Sequence, residues 1–257
     1  MIDLAQTLSG FAVGAIVGLT GVGGGSLMTP LLVLLFGIHP ATAVGTDLLY
    51  AAITKSGGTW VHARKGNVNW RIVKFMAAGS MPAAGLTLVG IHFFAPGGLG
   101  NAAKAITFSL GIALLLTAGA LIFRQRLLTW ARRHNPDAEH HPWKTVAMGA
   151  ILGVLVSISS VGAGALGVTA LFFLYPKLVA HRIVGSDLAH AVPLTLVAGL
   201  GHWWLGSVNW SLLLSLLLGS LPGIYIGSHL SSRVPERILR PTLAGMLVLV
   251  GGKLIAF

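Results

Sequence analysis

Two carboxylates, a lysine and a histidine stand inside long apolar segments, where an ionisable side chain needs a partner or a function. Asp47 and Asp187 are the two acidic residues in such segments. Lys55 follows Asp47 by about two helical turns, and His190 follows Asp187 by one. A bare carboxylate at mid-span costs about 2.5–3.5 kcal/mol on insertion scales. Either a structural hydrogen bond to free amide groups or coupling to a proton or cation would offset that cost.

The basic side chains of these segments leave several roles open. Lys55 could attract an anion, pair with Asp47, or extend its ammonium group to the membrane interface. His190 could relay protons or donate a hydrogen bond to an anion. His62 and His202 stand near the ends of their apolar segments, where we expect an interfacial position.

Two glycine-rich stretches interrupt the apolar segments in the pattern of a broken helix. The first glycine turn comprises Gly21, Val22, Gly23, Gly24, Gly25 and Ser26, and the second comprises Ser160, Val161, Gly162, Ala163, Gly164 and Ala165. Glycine permits tight turns and leaves N–H groups open to a ligand. In hydrocarbon, such backbone persists only inside protein or beside a cavity, and a pair of interrupted segments indicates a transporter's binding site.

The glycine turns predict a site for a small anion near the middle of the membrane. Backbone N–H groups and the positive ends of half-helices stabilise anions, and the hydroxyl groups of Thr20, Ser159 and Ser160 could add donors. The alternative is close helix packing through small residues. A nucleotide-binding loop is disfavoured because neither stretch continues into Gly-Lys-Ser/Thr.

Composition indicates a polytopic helical membrane protein. The 257 residues are 54% hydrophobic and 9% charged, with a mean hydropathy of +0.83. The net charge of +11 lies in short loops between apolar segments, so it indicates the positive-inside pattern rather than nucleic-acid binding. The absence of cysteine excludes disulfides and Cys-ligated zinc. We predict neither a cofactor nor a metal, and we expect the first apolar segment to be retained rather than cleaved.

The second half of the sequence repeats the first. Asp47 and Asp187 are separated by 140 residues, and the same offset relates three motifs, whereas Gly23 and Gly162 are separated by 139. The motifs pair Gly45-Thr46-Asp47-Leu48 with Gly185-Ser186-Asp187-Leu188, Asn67-Val68-Asn69-Trp70 with Ser207-Val208-Asn209-Trp210, and Gly79-Ser80-Met81-Pro82 with Gly219-Ser220-Leu221-Pro222. Agreement between separate motifs supports a duplication. We expect repeats over residues 1–123 and 145–257, joined by a basic cytoplasmic linker over 124–144.

Charge predicts that the two repeats have opposite orientations. The loop after His62 is basic and should be cytoplasmic, whereas the equivalent loop after His202 has no basic residue and should be outside. We therefore expect an all-α fold of two inverted-topology repeats. Each would comprise a broken or re-entrant helical hairpin plus three transmembrane helices, and both termini would lie outside.

These motifs resemble the sulfite exporter TauE/SafE family. The resemblance rests on the turn at 21–25, Gly-Thr-Asp at 45–47, Gly-Asn-Val-Asn-Trp at 66–70 and Gly-Ser-Met-Pro at 79–82. It implies a protein of the bacterial inner membrane, without an ATPase of its own, that transports sulfite, sulfonates such as sulfoacetate, or related sulfur-containing anions. The expected partners are the lipid bilayer and such an anion, with no nucleic acid, and a homodimer is left open.

The leading hypothesis is a secondary transporter working by alternating access, with the anion held by the turn amides, nearby hydroxyl groups and Lys55. An anion channel using the same turns is one alternative. A cation-coupled or cation transporter using Asp47 and Asp187 is another. An enzyme is disfavoured because the sequence contains neither His-Glu-x-x-His nor Gly-x-Ser-x-Gly.

Overall fold

The computed structural model describes residues 3–20, 25–94, 103–134, 142–230 and 236–256. Within these ranges the regular secondary structure is helical, as expected, and ten helices are present. They are α1 (Leu4–Thr20), α2 (Gly25–Leu34), α3 (Pro40–Arg64), α4 (Trp70–Phe94), α5 (Ala103–His134), α6 (Pro142–Ser159), α7 (Ala165–Leu174), α8 (Ala180–Trp204), α9 (Trp210–Leu230) and α10 (Glu236–Ala256).

Five of the described helices, α4, α5, α6, α8 and α9, are long and apolar enough to cross a membrane. We expected α3 to be a full span as well. It matches α8 in its 25 residues, but it is less apolar because it carries Thr46, Asp47, Lys55 and Ser56. The two charged residues in the interior of this helix, Asp47 and Lys55, are buried against other helices and are therefore kept from lipid.

Each glycine turn joins one long arm to one short arm. The long arms, α1 and α6, have 17 and 18 residues, whereas the short arms, α2 and α7, have 10 each. Ten helical residues extend only about 15 Å, half of the roughly 30 Å hydrocarbon core. The expectation of arms too short to span therefore holds for α2 and α7, but α6 is long enough to cross by itself.

Helix α5 is longer than the sequence indicates. It continues to His134, so the first half of the segment expected as a linker is helical. Residues 135–141 lie outside the described ranges, and α6 begins at Pro142.

The helices pair across the two halves of the chain in a nearly twofold pattern. By the 140-residue correspondence, α1–α5 are equivalent to α6–α10. Helix α1 packs along α9 as its equivalent α6 packs along α4, and α3–α8 and α5–α10 are contacts between equivalents. A Cβ atom on Gly111 would lie 3.0 Å from the Gly251 carbonyl oxygen, and the reverse distance is also 3.0 Å. The two contacts are thus reciprocal, as a local twofold axis would require.

Two hydrogen bonds define the relative direction of α3 and α8. Thr46, near the start of α3, accepts from the backbone N–H of Asn209, which follows the end of α8, at 3.1 Å. Ser186, near the start of α8, accepts from the N–H of Asn69, which follows the end of α3, at 2.8 Å. The start of each helix thus meets the end of the other, and the two helices are antiparallel.

Glycines allow the backbones of α4 and α6 to touch. A Cβ atom on Gly79 of α4 would overlap the carbonyl oxygen of Val146, and one on Gly149 or Gly153 of α6 would overlap the backbone of α4. Gly10, Gly14, Gly219 and Gly223 do the same between α1 and α9. Small residues at these positions allow the close van der Waals packing that holds helices together in a membrane.

We expect Gly79→Ala to lower the free energy of unfolding by about 1–3 kcal/mol, because the new methyl group would push α4 away from α6. Gly85→Ala in the same helix is the control, since its methyl group would meet nothing within 4 Å. Its effect should lie between zero and a gain of about 1 kcal/mol. Thermal unfolding in detergent compares the variants, and equal melting temperatures would contradict the close packing.

Candidate functional site

The second glycine turn is buried in the interior of the protein and has a backbone that needs glycine. Gly162 and Gly164 have φ angles of +127° and +142°, in a region nearly closed to other residues. Ser160, with φ of +57°, is the only non-glycine residue with positive φ in the described ranges. The N–H groups of Gly162, Ala163 and Gly164 donate no hydrogen bond to any described residue. These amides could therefore bind an anion.

Asp47 connects the second turn to the first half of the chain. Its side chain is fully buried, and its Oδ2 atom accepts hydrogen bonds from the hydroxyl groups of Thr29 in α2 and Ser160 in the turn, the latter at 2.9 Å. Its Oδ1 atom has no hydrogen-bond partner among the described residues. The Oδ2 atom thus has a structural role, through hydroxyl groups rather than the expected free amides. Coupling to a proton or cation stays a prediction.

Lys55 also reaches the second turn. Its Nζ atom donates to the carbonyl oxygen of Ala163 at 2.8 Å, and the side chain is only 5% exposed. The interpretation in which Lys55 extends to the interface is therefore wrong. An ammonium group has three donors, and Ala163 takes one of them, so further donors remain for a ligand at the turn.

Asp187 and His190 are two further buried ionisable residues, both in α8. Lys55 interacts electrostatically with Asp187 as well as with Asp47. The Oδ1 atom of Asp187 has no hydrogen-bond partner among the described residues. It occupies the space that the Cβ atom of any other residue at position 167 would need, so Gly167 in α7 makes room for it. His190 is fully buried, and its Nε2 atom is 2.8 Å from the hydroxyl oxygen of Ser80 in α4.

His202 is structural and not interfacial, contrary to expectation. It is 1% exposed, its Nε2–H donates to the Ser157 carbonyl at 2.8 Å, and its Nδ1 lies 3.0 Å from the Ser207 hydroxyl. These bonds tie the end of α8 to α6. His62 is half-buried beside Gly185, at the equivalent end of α3.

Most of the first glycine turn lies outside the described residues. Gly21, Val22, Gly23 and Gly24 lie outside the described residues, as do the side chains of Thr20 and Ser26. Their role as anion ligands stays a prediction. Ser159 is placed beside the second turn, where its hydroxyl accepts from the Val161 N–H at 3.2 Å.

Several polar residues of the site were missed by sequence reasoning. Thr29 is the hydroxyl donor to Asp47, and Ser80 is the partner of His190. Ser220, the repeat equivalent of Ser80, lies beside Tyr50, the equivalent of His190. The duplicated Gly-Ser-x-Pro motif was the available signal, because it places a serine at mid-span in both halves.

Two cavities of about 650 and 600 Å³ lie away from this cluster. One is lined by α2, α5 and α10, and the other mainly by α6 and α7. Neither lining includes Lys55, Asp47, Asp187 or residues 160–164. The polar cluster of Lys55, Asp47, Asp187 and the second glycine turn is thus separate from both cavities.

Comparison with known proteins identifies the family. The sequence profile described as "Sulfite exporter TauE/SafE" matches residues 7–254, nearly the whole chain. The chain belongs to the TauE/SafE family. It is therefore an integral membrane protein of a transporter family, as the resemblance predicted, and Lys55 and both buried carboxylates lie inside the matched region.

Relatives of this TauE/SafE protein carry transporter names. The "Probable membrane transporter protein YjnA" of Bacillus subtilis is 42% identical over 251 residues, covering 96% of this chain and 98% of the relative. YdhB of the same organism is 29% identical over 249 residues, covering 93% and 97%. A probable membrane transporter protein of Xylella fastidiosa (strain Temecula1) is 28% identical over 234 residues, covering 88% and 84%. No solved structure matches the chain significantly.

The hydrogen bond from Ser160 to Asp47 should contribute measurably to stability. We expect Ser160→Ala to lower the free energy of unfolding by about 1–3 kcal/mol, because a buried carboxylate loses a donor. Ser56→Ala is the control, since its exposed hydroxyl bonds only to the Ala52 carbonyl of its own helix. Its effect should stay within about 0.5 kcal/mol. Thermal unfolding with equal losses for both variants would exclude a special role for the Asp47 contact.

Proposed function

We propose that this TauE/SafE protein is a secondary transporter of small sulfur-containing anions such as sulfite and sulfonates. The anion binds at the second glycine turn, between the open amides of residues 162–164 and the ammonium group of Lys55. Family membership supports the substrate class, since the matching profile is described as a sulfite exporter.

The contact between Lys55 and Ala163 carries this proposal. It brings a buried ammonium group to a turn whose amides have no described acceptor. An anion at this point would receive hydrogen bonds from backbone dipoles and a charged donor in surroundings of low dielectric constant, where both are strong. The two hydroxyl donors on Asp47 stabilise its negative charge and reduce its repulsion of the anion.

Inverted topology would give the protein access to both sides of the membrane. The antiparallel contact of the equivalent helices α3 and α8 supports a twofold axis in the membrane plane. Exposed Arg64 and Lys65 lie at the end of α3, at one end of the pair, whereas exposed Trp203 and Trp204 are the last residues of α8, at the other end. The first end is then cytoplasmic, the termini lie outside, and the repeats 1–123 and 145–257 move relative to each other around the bound anion. The homodimer stays a prediction, without support in the described residues.

Single cysteines at two equivalent positions test this topology. The chain has no native cysteine, so Arg64→Cys and Trp204→Cys each introduce one exposed thiol. We expect a membrane-impermeant maleimide to label intact cells at position 204 and to label position 64 only after permeabilisation. Labelling of both from the same side would contradict inverted repeats.

Flux into proteoliposomes tests the anion site. We expect Lys55→Gln to reduce sulfite and sulfonate uptake at low substrate about tenfold or more, because a charged hydrogen bond contributes about 1.5–3 kcal/mol. Lys74→Gln is the matched control, since Lys74 is exposed on α4 and should leave uptake unchanged. Equal uptake by the two variants would remove Lys55 from the site. Uptake that does not saturate would favour the channel alternative.

A further inference from the structure

The two equivalent carboxylates have unlike surroundings. Asp47 accepts two hydroxyl hydrogen bonds, from Thr29 and Ser160. At the 139-residue offset of the glycine turns, Thr29 corresponds to Val168 and Ser160 corresponds to Gly21, and neither of these has a hydroxyl group. Among the described residues, hydroxyl groups therefore donate to Asp47 but not to the Oδ1 atom of Asp187.

Among the described residues, Asp187 has fewer hydrogen-bond donors around it than Asp47 has. Its Oδ1 atom is buried without a described partner and faces Gly167. The nearest hydroxyl along α7, that of Thr169, instead donates to the Ala165 carbonyl at 2.7 Å. Hydrogen bonds favour the charged form of a carboxylate, and burial without them favours the protonated form. The difference in hydrogen bonding therefore favours Asp187 over Asp47 as the place for a proton.

Few ionisable groups face Asp187. Lys55 approaches from α3, and His190 lies on the same helix as Asp187. Helix α7 has no ionisable side chain, and those of α4 and α6 lie near the helix ends, at Arg71, Lys74, His92 and Lys144. Lys55 is thus the one described cation beside two buried carboxylates, and it is also bonded to Ala163. A single proton would make the cluster neutral.

We propose that Asp187 binds the proton that is transported together with the anion, and that Asp47 is a positioning residue that holds the second turn. This inference rests on the proposed function for the identity of the anion. When the anion binds, it engages the charge of Lys55 and leaves Asp187 uncompensated, so proton binding and anion binding favour each other. By linkage the effect is reciprocal. Asp187 takes one proton on one side of the membrane and releases it on the other, without any change in oxidation state.

Infrared difference spectroscopy between acidic and alkaline pH tests the proton site without any anion. A protonated buried carboxyl group gives a C=O stretching band. Asp187→Asn replaces that carboxyl group by an amide of similar shape. We expect the band in the wild-type protein and in Asp47→Asn, and its loss in Asp187→Asn. The other four acidic residues are common to all three proteins. A wild-type protein without the band, or a band lost only in Asp47→Asn, would overturn the proposal.

Transport driven by a pH gradient tests the coupling. A sulfonate is the substrate because, unlike sulfite, its sulfonate group carries no proton near neutral pH. We expect Asp187→Asn to reduce the pH-driven accumulation of sulfonate by about tenfold or more. The variant should still exchange labelled for unlabelled sulfonate. Asp47→Asn, in contrast, should lose both activities together with thermal stability, because the turn loses its support.

The outcomes separate this inference from the proposed function. Saturable sulfonate flux that is independent of the pH gradient, or that is driven by a sodium gradient, would overturn proton coupling. The proposed function as an anion transporter would be unaffected. An infrared band assigned to Asp187 in a protein that moves neither sulfite nor sulfonates would support the proton site and overturn the proposed substrate. If Asp187→Asn does not fold, the deciding measurement is proton uptake by the wild-type protein when sulfonate is added. The absence of proton uptake would overturn the coupling.

Discussion

The buried contacts that Asp47 and Lys55 make with the second glycine turn constrain the rest of the structure. A turn with strained φ angles and open amides can persist inside a membrane protein only if its surroundings hold it. Ser160 is held by a carboxylate and Ala163 by an ammonium group, both from α3. Because α3 belongs to the other half of the chain, contacts between the two halves stabilise the conformation of the turn.

That packing is nearly symmetric, whereas the polar groups inside it are not. The Thr46–Asn209 and Ser186–Asn69 bonds are equivalents and fix α3 against α8 in the same way at both ends. Between them, the position of Lys55 is taken in the second half by Thr195, and the Tyr50 position is taken by His190. A symmetric arrangement of helices is compatible with movement between states open to opposite sides of the membrane. The asymmetric polar groups allow the second glycine turn to bind the anion and Asp187 to bind the proton.

Much of the fold follows from the sequence, but the contacts within the site do not. Composition predicted the all-helical architecture, and the 140-residue offset predicted which helices are equivalent. The extra length of α5 and the spanning length of α6 were missed, because the basic stretch over 124–144 was expected to be a linker. Instead, α5 continues into that stretch and α6 begins within it. Lys55 and Ala163 are 108 residues apart, and a single sequence contains no local signal for such a pair. His202 was misjudged because position in a segment does not reveal that Ser157 and Ser207 cover it.

The location of a bound sulfur oxyanion tests the account most directly. Selenite has the shape and charge of sulfite, and its selenium atom gives an anomalous signal in crystals of the protein grown with it. The account predicts one strong anomalous peak within hydrogen-bonding reach of Lys55 Nζ and the amides of residues 162–164. A strong peak among the exposed basic residues, with none at the second glycine turn, would contradict it.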